Sequence, residues 1–329
     1  MGKILKQSFW STIVIYFGVL LGFINSIILF PKFLSTEQIG LIRQIISAAT
    51  ILIPIATFGI SSTYVKFYPL VKESIKEKTQ FFSLNLIITM IFYSIVLLSL
   101  FIFKDEIKLV FSEKSKLFFD YLYVVYFILF IMSISTLIEA YLRARYDIVL
   151  SNIINGVTNR FFTAISVILL SLSLIDFNFL INFQIIIYSF GLFILIYFAN
   201  KKEKISISFR FNEIKKYFNK MFNYSSYAFL GSFSNIIVLN VDVLMVTSLL
   251  GLSQTGIYTT AFYIGMVIEI PRRAISQISI PFISENIKNN NYQEIQKNYK
   301  EISLHQILIG TLFFILIVTN LNNIFNLIP

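Results

Sequence analysis

The chain has no cysteine and a single histidine, His305, in 329 residues. Those two shortages exclude disulfides, thiolate chemistry and any metal site built on Cys and His. Charge is also scarce. Asp, Glu, Lys and Arg together make up 13% of the residues, against about 25% in a soluble domain. No Walker phosphate loop, G-x-S-x-G elbow or H-E-x-x-H pair occurs in the sequence. ATP hydrolysis and the common hydrolase chemistries are therefore not expected, no cofactor is implied, and the chain is not read as an enzyme.

Apolar residues fill the space left by charge: 57% of the chain is hydrophobic and the mean hydropathy is +0.78. They come in blocks of about 20 residues, the length of helix that crosses a ~30 Å hydrocarbon layer. The pattern predicts an all-α polytopic membrane protein of about nine transmembrane helices, at 8–30, 38–66, 81–103, 117–143, 148–174, 179–199, 224–250, 254–284 and 303–328. The first block is too long for a signal-peptide core and no small-residue cleavage site follows it, so it reads as an uncleaved span.

The net charge of +10 does not point to nucleic acid, because the basic residues lie between apolar blocks rather than along one stripe. With the N-terminus in the cytoplasm, 18 Lys and Arg fall in inner segments and 5 in outer ones. That asymmetry predicts an N-in orientation. The longest inner segment, 201–223, places Ile214, Tyr217, Phe218, Met221 and Phe222 at helical spacing with Lys215, Lys216 and Lys220 off that face. A helix lying on the anionic inner leaflet is expected there, with membrane lipids as its partner.

One short connector is written twice. "FLSTEQIGLI" (33–42) aligns with "LLGLSQTGIY" (249–258), so that Leu34, Gln38 and Gly40 fall on Leu250, Gln254 and Gly256. Six spans separate the copies. An even number gives both the same polarity, so the halves are expected to be parallel repeats about an axis along the membrane normal. The expected division is a six-helix lobe at 1–200, a cytoplasmic linker at 201–223 and a three-helix part of a second lobe at 224–329. By this symmetry the second lobe is half present, and the chain is expected to be C-terminally truncated.

Polar residues inside spans mark the candidate site, since a mid-bilayer charge costs about 2.5–3.5 kcal/mol and usually faces a cavity or a partner. Arg160 lies about 12 residues into the fifth span, on a face with Asn152, Asn155, Asn159 and Thr163. It either lines a cavity or is buried against carbonyls between helices. Arg43 begins a polar face with Ser47, Thr50, Pro54, Thr57 and Ser61; it lines the same cavity or snorkels outward. In the eighth span Gly265, Glu269, Arg272 and Ser276 share a face beside Arg273, with Pro271 permitting a hinge. Asp242 and Glu269 are the candidates for ion coupling; Asp242 could instead pair with an arginine across a cleft, and Glu269 with Arg272 or Arg273. Glu139 and Arg143, four apart, are expected to form a structural ion pair.

Several segments also resemble a known family. "FPKFLSTEQIGLIRQIISAATILIPIATFGISSTYVKFYP" (30–69), "EAYLRARYD" (139–147), "NVDVLMVTSLLGLSQTGIYTTAFYIG" (240–265) and "ISIPFISE" (278–285) are similar, in that order, to bacterial polysaccharide biosynthesis membrane proteins. These are the O-antigen-type lipid-linked oligosaccharide flippases of the MOP superfamily. The resemblance implies a two-lobe fold of 12–14 helices in the bacterial cytoplasmic membrane. It implies an undecaprenyl-diphosphate-linked oligosaccharide as substrate, with polysaccharide polymerase and other assembly proteins as candidate partners. Arg43, Asn159, Arg160, Arg272 and Arg273 would then bind substrate. The alternatives are a MATE-like drug/ion antiporter, against which the arginines count, and a membrane polymerase or glycosyltransferase, which would carry a larger acidic external loop.

Overall fold

The computed structural model describes residues 2–111, 115–266, 268, 269, 286 and 291–327. Among these, helix is the only regular structure. Eight helices are long and apolar enough to cross a membrane: α1 (Phe9–Phe33), α2 (Thr36–Val71), α3 (Ile75–Ile102), α4 (Leu122–Ala144), α5 (Val149–Ser171), α6 (Phe177–Lys202), α7 (Lys215–Leu250) and α9 (Tyr292–Thr319). Between the last two, α8 (Leu252–Met266) is the described part of the span expected at 254–284. The chain is an all-α, multi-pass membrane protein.

The apolar stripes of α2 and α4 form the centre. Leu41, Ile42, Ile45 and Ala49 of α2 are buried with Ile128 and Leu129 of α4 and Leu180 and Ile181 of α6. In α9, by contrast, no described residue is buried, and Leu304, Ile307 and Leu312 stand exposed.

Three interruptions shape the interior. α1 and α5 each contain a π-helical turn, Ile24–Leu29 and Ile153–Thr158, a feature that recurs at functional sites. α2 is broken at Phe58 and Gly59, both left-handed (φ 44° and 69°), whereas the sequence suggested one uninterrupted span. Gly59 is required twice over. Its φ suits glycine, and a Cβ there would sit 2.5 Å from the Ser225 carbonyl oxygen and 2.7 Å from the Phe229 nitrogen of α7. Phe58 stacks on Phe92 of α3, with ring centroids 4.2 Å apart.

The repeated connectors meet at one end of the bundle. A Cβ on Gly40 would overlap the Leu252 carbonyl, and a Cβ on Gly256 would overlap the Thr36 carbonyl. The two contacts are reciprocal under the repeat: 40 corresponds to 256 and 36 to 252. That is the signature of a two-fold contact between equivalent elements. Around it Thr36 and Ser253 hydroxyls lie 2.7 Å apart, Thr247 donates to Gln44 at 2.7 Å, and Ser115 donates to the Thr247 carbonyl at 2.7 Å. Ser35 caps α2, and Gln38 returns the bond in a capping box.

The basic segments meet at the opposite end. Glu203 bridges Lys78 and Arg145, Asp147 pairs with Lys202 at 2.5 Å, and Glu77 with Lys216 at 2.8 Å. The linker after α6 is not the surface helix that its spacing suggested. It runs as a strap along the start of α3: Ser208 N–H donates to Ser83, Glu213 N–H to Gln80, and Lys216 pairs with Glu77. Those three acceptors stand at i, i+3 and i+6 on one face of α3. Ile214 and Met221 are buried against protein rather than lipid, and the α-helical part of α7 begins at Phe218, inside the segment read as linker.

Candidate functional site

Two adjoining cavities lie between the helices. The first, about 200 Å³, is lined by Arg43 and Ile46 of α2, Asn25 and Ser26 of α1, Arg160 of α5, Gln184 and Tyr188 of α6 and Tyr263 of α8. The second, about 400 Å³, lies nearer the basic end, between the break in α2 and helices α4–α7. Asn155, Asn159 and Tyr188 line both. The cavities are therefore two compartments of one cleft.

The π-turns place the polar groups of the first compartment. The turn in α1 carries Asn25 and Ser26, both buried. The turn in α5 carries Asn155 and Gly156, and Asn159 and Arg160 follow directly. Gly18 lets α1 approach: a Cβ there would be 2.7 Å from the Gly156 carbonyl oxygen. Arg160 donates through Nη1 to the Gly18 carbonyl, while its own carbonyl accepts from Asn25 Nδ2 at 2.8 Å. Both readings offered by the sequence hold for Arg160: it lines the cavity and it is bonded to a helix carbonyl.

Arg43 does not snorkel. Its Nη2 donates to Ser26 Oγ at 2.6 Å and its Nη1 to Tyr263 Oη at 3.0 Å, with the guanidinium over the Phe30 and Tyr263 rings. Arg43 therefore ties α2 to α1 and α8 across the cleft. Buried polar groups are nearly always hydrogen-bonded. Among the described residues, six buried side-chain atoms have no such partner, and four of them line this compartment: Asn25 Oδ1, Arg43 Nε, Asn159 Oδ1 and Gln184 Nε2. It is a site built for polar groups.

In the second compartment the chemistry changes sign. Glu139 takes Asn155 Nδ2 at 2.7 Å, and the expected ion pair with Arg143 is not formed. Arg143 is exposed and turns to Ser61 Oγ of α2 at 3.4 Å. The cleft holds the carboxylate because α5 offers an amide donor there, a neighbour that spacing along α4 alone could not reveal.

Asp242 does not pair with an arginine across the cleft among the described residues. It accepts from Tyr258 Oη of α8, and its Oδ1 is buried without a partner. Glu269 is half-buried. Arg272 and Arg273, with Pro271 and Ser276, lie outside the described residues, as does their pairing with Glu269. Of the residues singled out in the sequence, Arg43, Asn159 and Arg160 come together. Tyr188, Gln184 and Tyr263 were missed; the Tyr-rich composition hinted at the two tyrosines, and nothing in the sequence singled out Gln184. Asn25 and Ser26 follow the long apolar stretch of the first span, and only the π-turn shows where they face.

The fold and the cleft together define an all-α multi-pass membrane protein with a polar, two-compartment cavity between its helices. The family model for "polysaccharide biosynthesis protein" matches residues 4–287, and the chain belongs to that family. No curated protein and no solved structure matches the chain.

Proposed function

We propose that the chain is a transporter, without a chemical step of its own, that moves an undecaprenyl-diphosphate-linked oligosaccharide from the inner to the outer leaflet of the bacterial cytoplasmic membrane. The observation that carries this reading is the convergence of Arg43 and Arg160 on one cavity in which two buried donors, Arg43 Nε and Gln184 Nε2, are left without partners. A diphosphate is acceptor-only when ionised, and guanidinium binds phosphate oxygens in bidentate fashion. At the connector end α2 and α8 are in backbone contact at Gly40 and Gly256, which fits a cleft loaded from the basic end. We read the helices before and after the strap as two lobes that rock against each other, with Asp242 and Glu269 as candidates for ion coupling. Arg272 and Arg273 would join the substrate site.

Export of surface glycan per molecule of membrane-inserted protein tests the reading. Arg160→Ala should reduce export at least tenfold, and Arg160→Lys should retain part of it. Wild-type export per molecule in Arg160→Ala would refute a diphosphate site at this cavity.

A further inference from the structure

The cleft is divided by charge, and in part by hydrogen-bond polarity. Around Arg43 and Arg160 the charged groups can only donate. Around Glu139 the charged group can only accept when ionised, and three of the hydroxyls beside it are left as acceptors. Thr57 Oγ1 donates to the Ile53 carbonyl at 2.9 Å, Thr136 Oγ1 to Met132 at 2.8 Å and Ser232 Oγ to Phe229 at 3.0 Å. Each hydroxyl has spent its proton on its own helix and turns lone pairs toward the second compartment. Asn155 occupies Glu139 Oε1, which leaves Oε2 to the cavity. At about 400 Å³ the compartment is within the size range of small-ligand sites. Asn155 and Arg160 are five residues apart on α5, about 7.5 Å along the axis. This is the scale on which a first sugar ring follows its diphosphate.

We infer that the Glu139 compartment is a sugar subsite that selects, next to the diphosphate, a sugar rich in hydrogen-bond donors, neutral or carrying an amine, and discriminates against a uronic acid. The inference rests on the reading of the arginine compartment as a diphosphate site. A ring with free hydroxyls or an ammonium satisfies the lone pairs of Glu139, Thr57, Thr136 and Ser232. A sugar carboxylate would face Glu139 as a like charge in a partly desolvated site, and repulsion of that kind is how specificity is built against a competitor.

The test uses the full chain in lipid nanodiscs and four probes: farnesyl diphosphate, and farnesyl diphosphate linked to N-acetylglucosamine, to glucosamine or to glucuronic acid. Competition against one labelled probe gives relative affinities. The glucuronic acid probe is expected to bind about tenfold more weakly than the N-acetylglucosamine probe, and glucosamine at least as tightly as the latter. Glu139→Gln should remove the glucuronic acid penalty and leave sugar-free farnesyl diphosphate unchanged. An unaltered ratio of the two sugar probes in Glu139→Gln, with farnesyl diphosphate still bound in an Arg160-dependent way, overturns the sugar subsite while the diphosphate site stands. Failure of all four probes to bind the wild-type chain overturns both.

Discussion

Replacing Gly256 by Ala should pry open the connector end, and its size can be worked from the packing. The added Cβ meets the Thr36 carbonyl oxygen and comes within 3.2 Å of the Gly40 nitrogen. Both are backbone atoms, so no rotamer change relieves the overlap and α2 and α8 must separate. Overpacking of this kind costs about 1–3 kcal/mol. Separation also strains the Gln44–Thr247–Thr255 hydrogen bonds, at 2.7 and 2.9 Å, worth about 1 kcal/mol each. A total of roughly 3–5 kcal/mol corresponds to a roughly 150- to 5,000-fold loss in population of the closed end. The chain has no cysteine, so Thr36→Cys with Ser253→Cys gives one unambiguous pair, and hydroxyls 2.7 Å apart put the sulfurs within bonding reach. Oxidative cross-linking in membranes should be fast in this double variant and at least tenfold slower when Gly256→Ala is added. Gly310→Ala on α9, where a Cβ meets nothing within 4 Å, is the control. Cross-linking of the Gly256→Ala variant at the parent rate would refute the argument that this crossing sets the closure.

Orientation is tested by single cysteines: those at Lys72 and Lys201 should resist a membrane-impermeant thiol reagent in intact cells, and one at Lys108 should react; the reverse pattern would invert the topology. Gly59→Ala should lower the thermal midpoint in detergent, since it combines φ 69° with a clash against α7, whereas Gly231→Ala, with nothing within 4 Å, should hold it or raise it through helix propensity. Glu203 should give a measurable acid limb. Burial by itself would push its carboxyl up, but the Lys78 ammonium and the Arg145 guanidinium outweigh that and hold it below the ordinary carboxylate range. A lowered native pKa stabilises the fold above the unfolded value of about 4.3, and the gain is lost as pH falls through the native value. For so exposed a bridge the gain is at most about 1 kcal/mol. Glu203→Gln should flatten this part of the stability curve, and an unchanged acid limb would remove Glu203 from the network.

Spans were legible in the sequence because lipid imposes length and hydropathy directly, and Arg43, Asn159 and Arg160 were legible because charge and amide groups in such spans need a reason. Breaks were not. Phe58 and Gly59 sit four and five residues beyond Pro54, and what fixes the left-handed pair is the approach of α7, a long-range contact. The strap was misread for a related reason: the spacing of Ile214, Tyr217 and Met221 announces a buried face but not whether lipid or protein buries it. Glu139 was assigned its neighbour on the same helix, since periodicity sees i and i+4 and cannot see α5. The repeated glycines were the most informative signal of all, because Gly40 and Gly256 proved to be each other's contact.

The strap makes α7 a lever. Its α-helical part has 33 residues, Phe218–Leu250, and so spans about 50 Å at 1.5 Å per residue. Its base is anchored beside Lys216 and its far end carries the turn into α8. A tilt of about 5° at the base moves a tip on an arm of that length by roughly 4 Å. A displacement of that size would separate two helices in backbone contact at a pair of glycines. A gate at one membrane face could therefore be worked from the other, and the stiffness of a single helix would set how faithfully the two faces communicate.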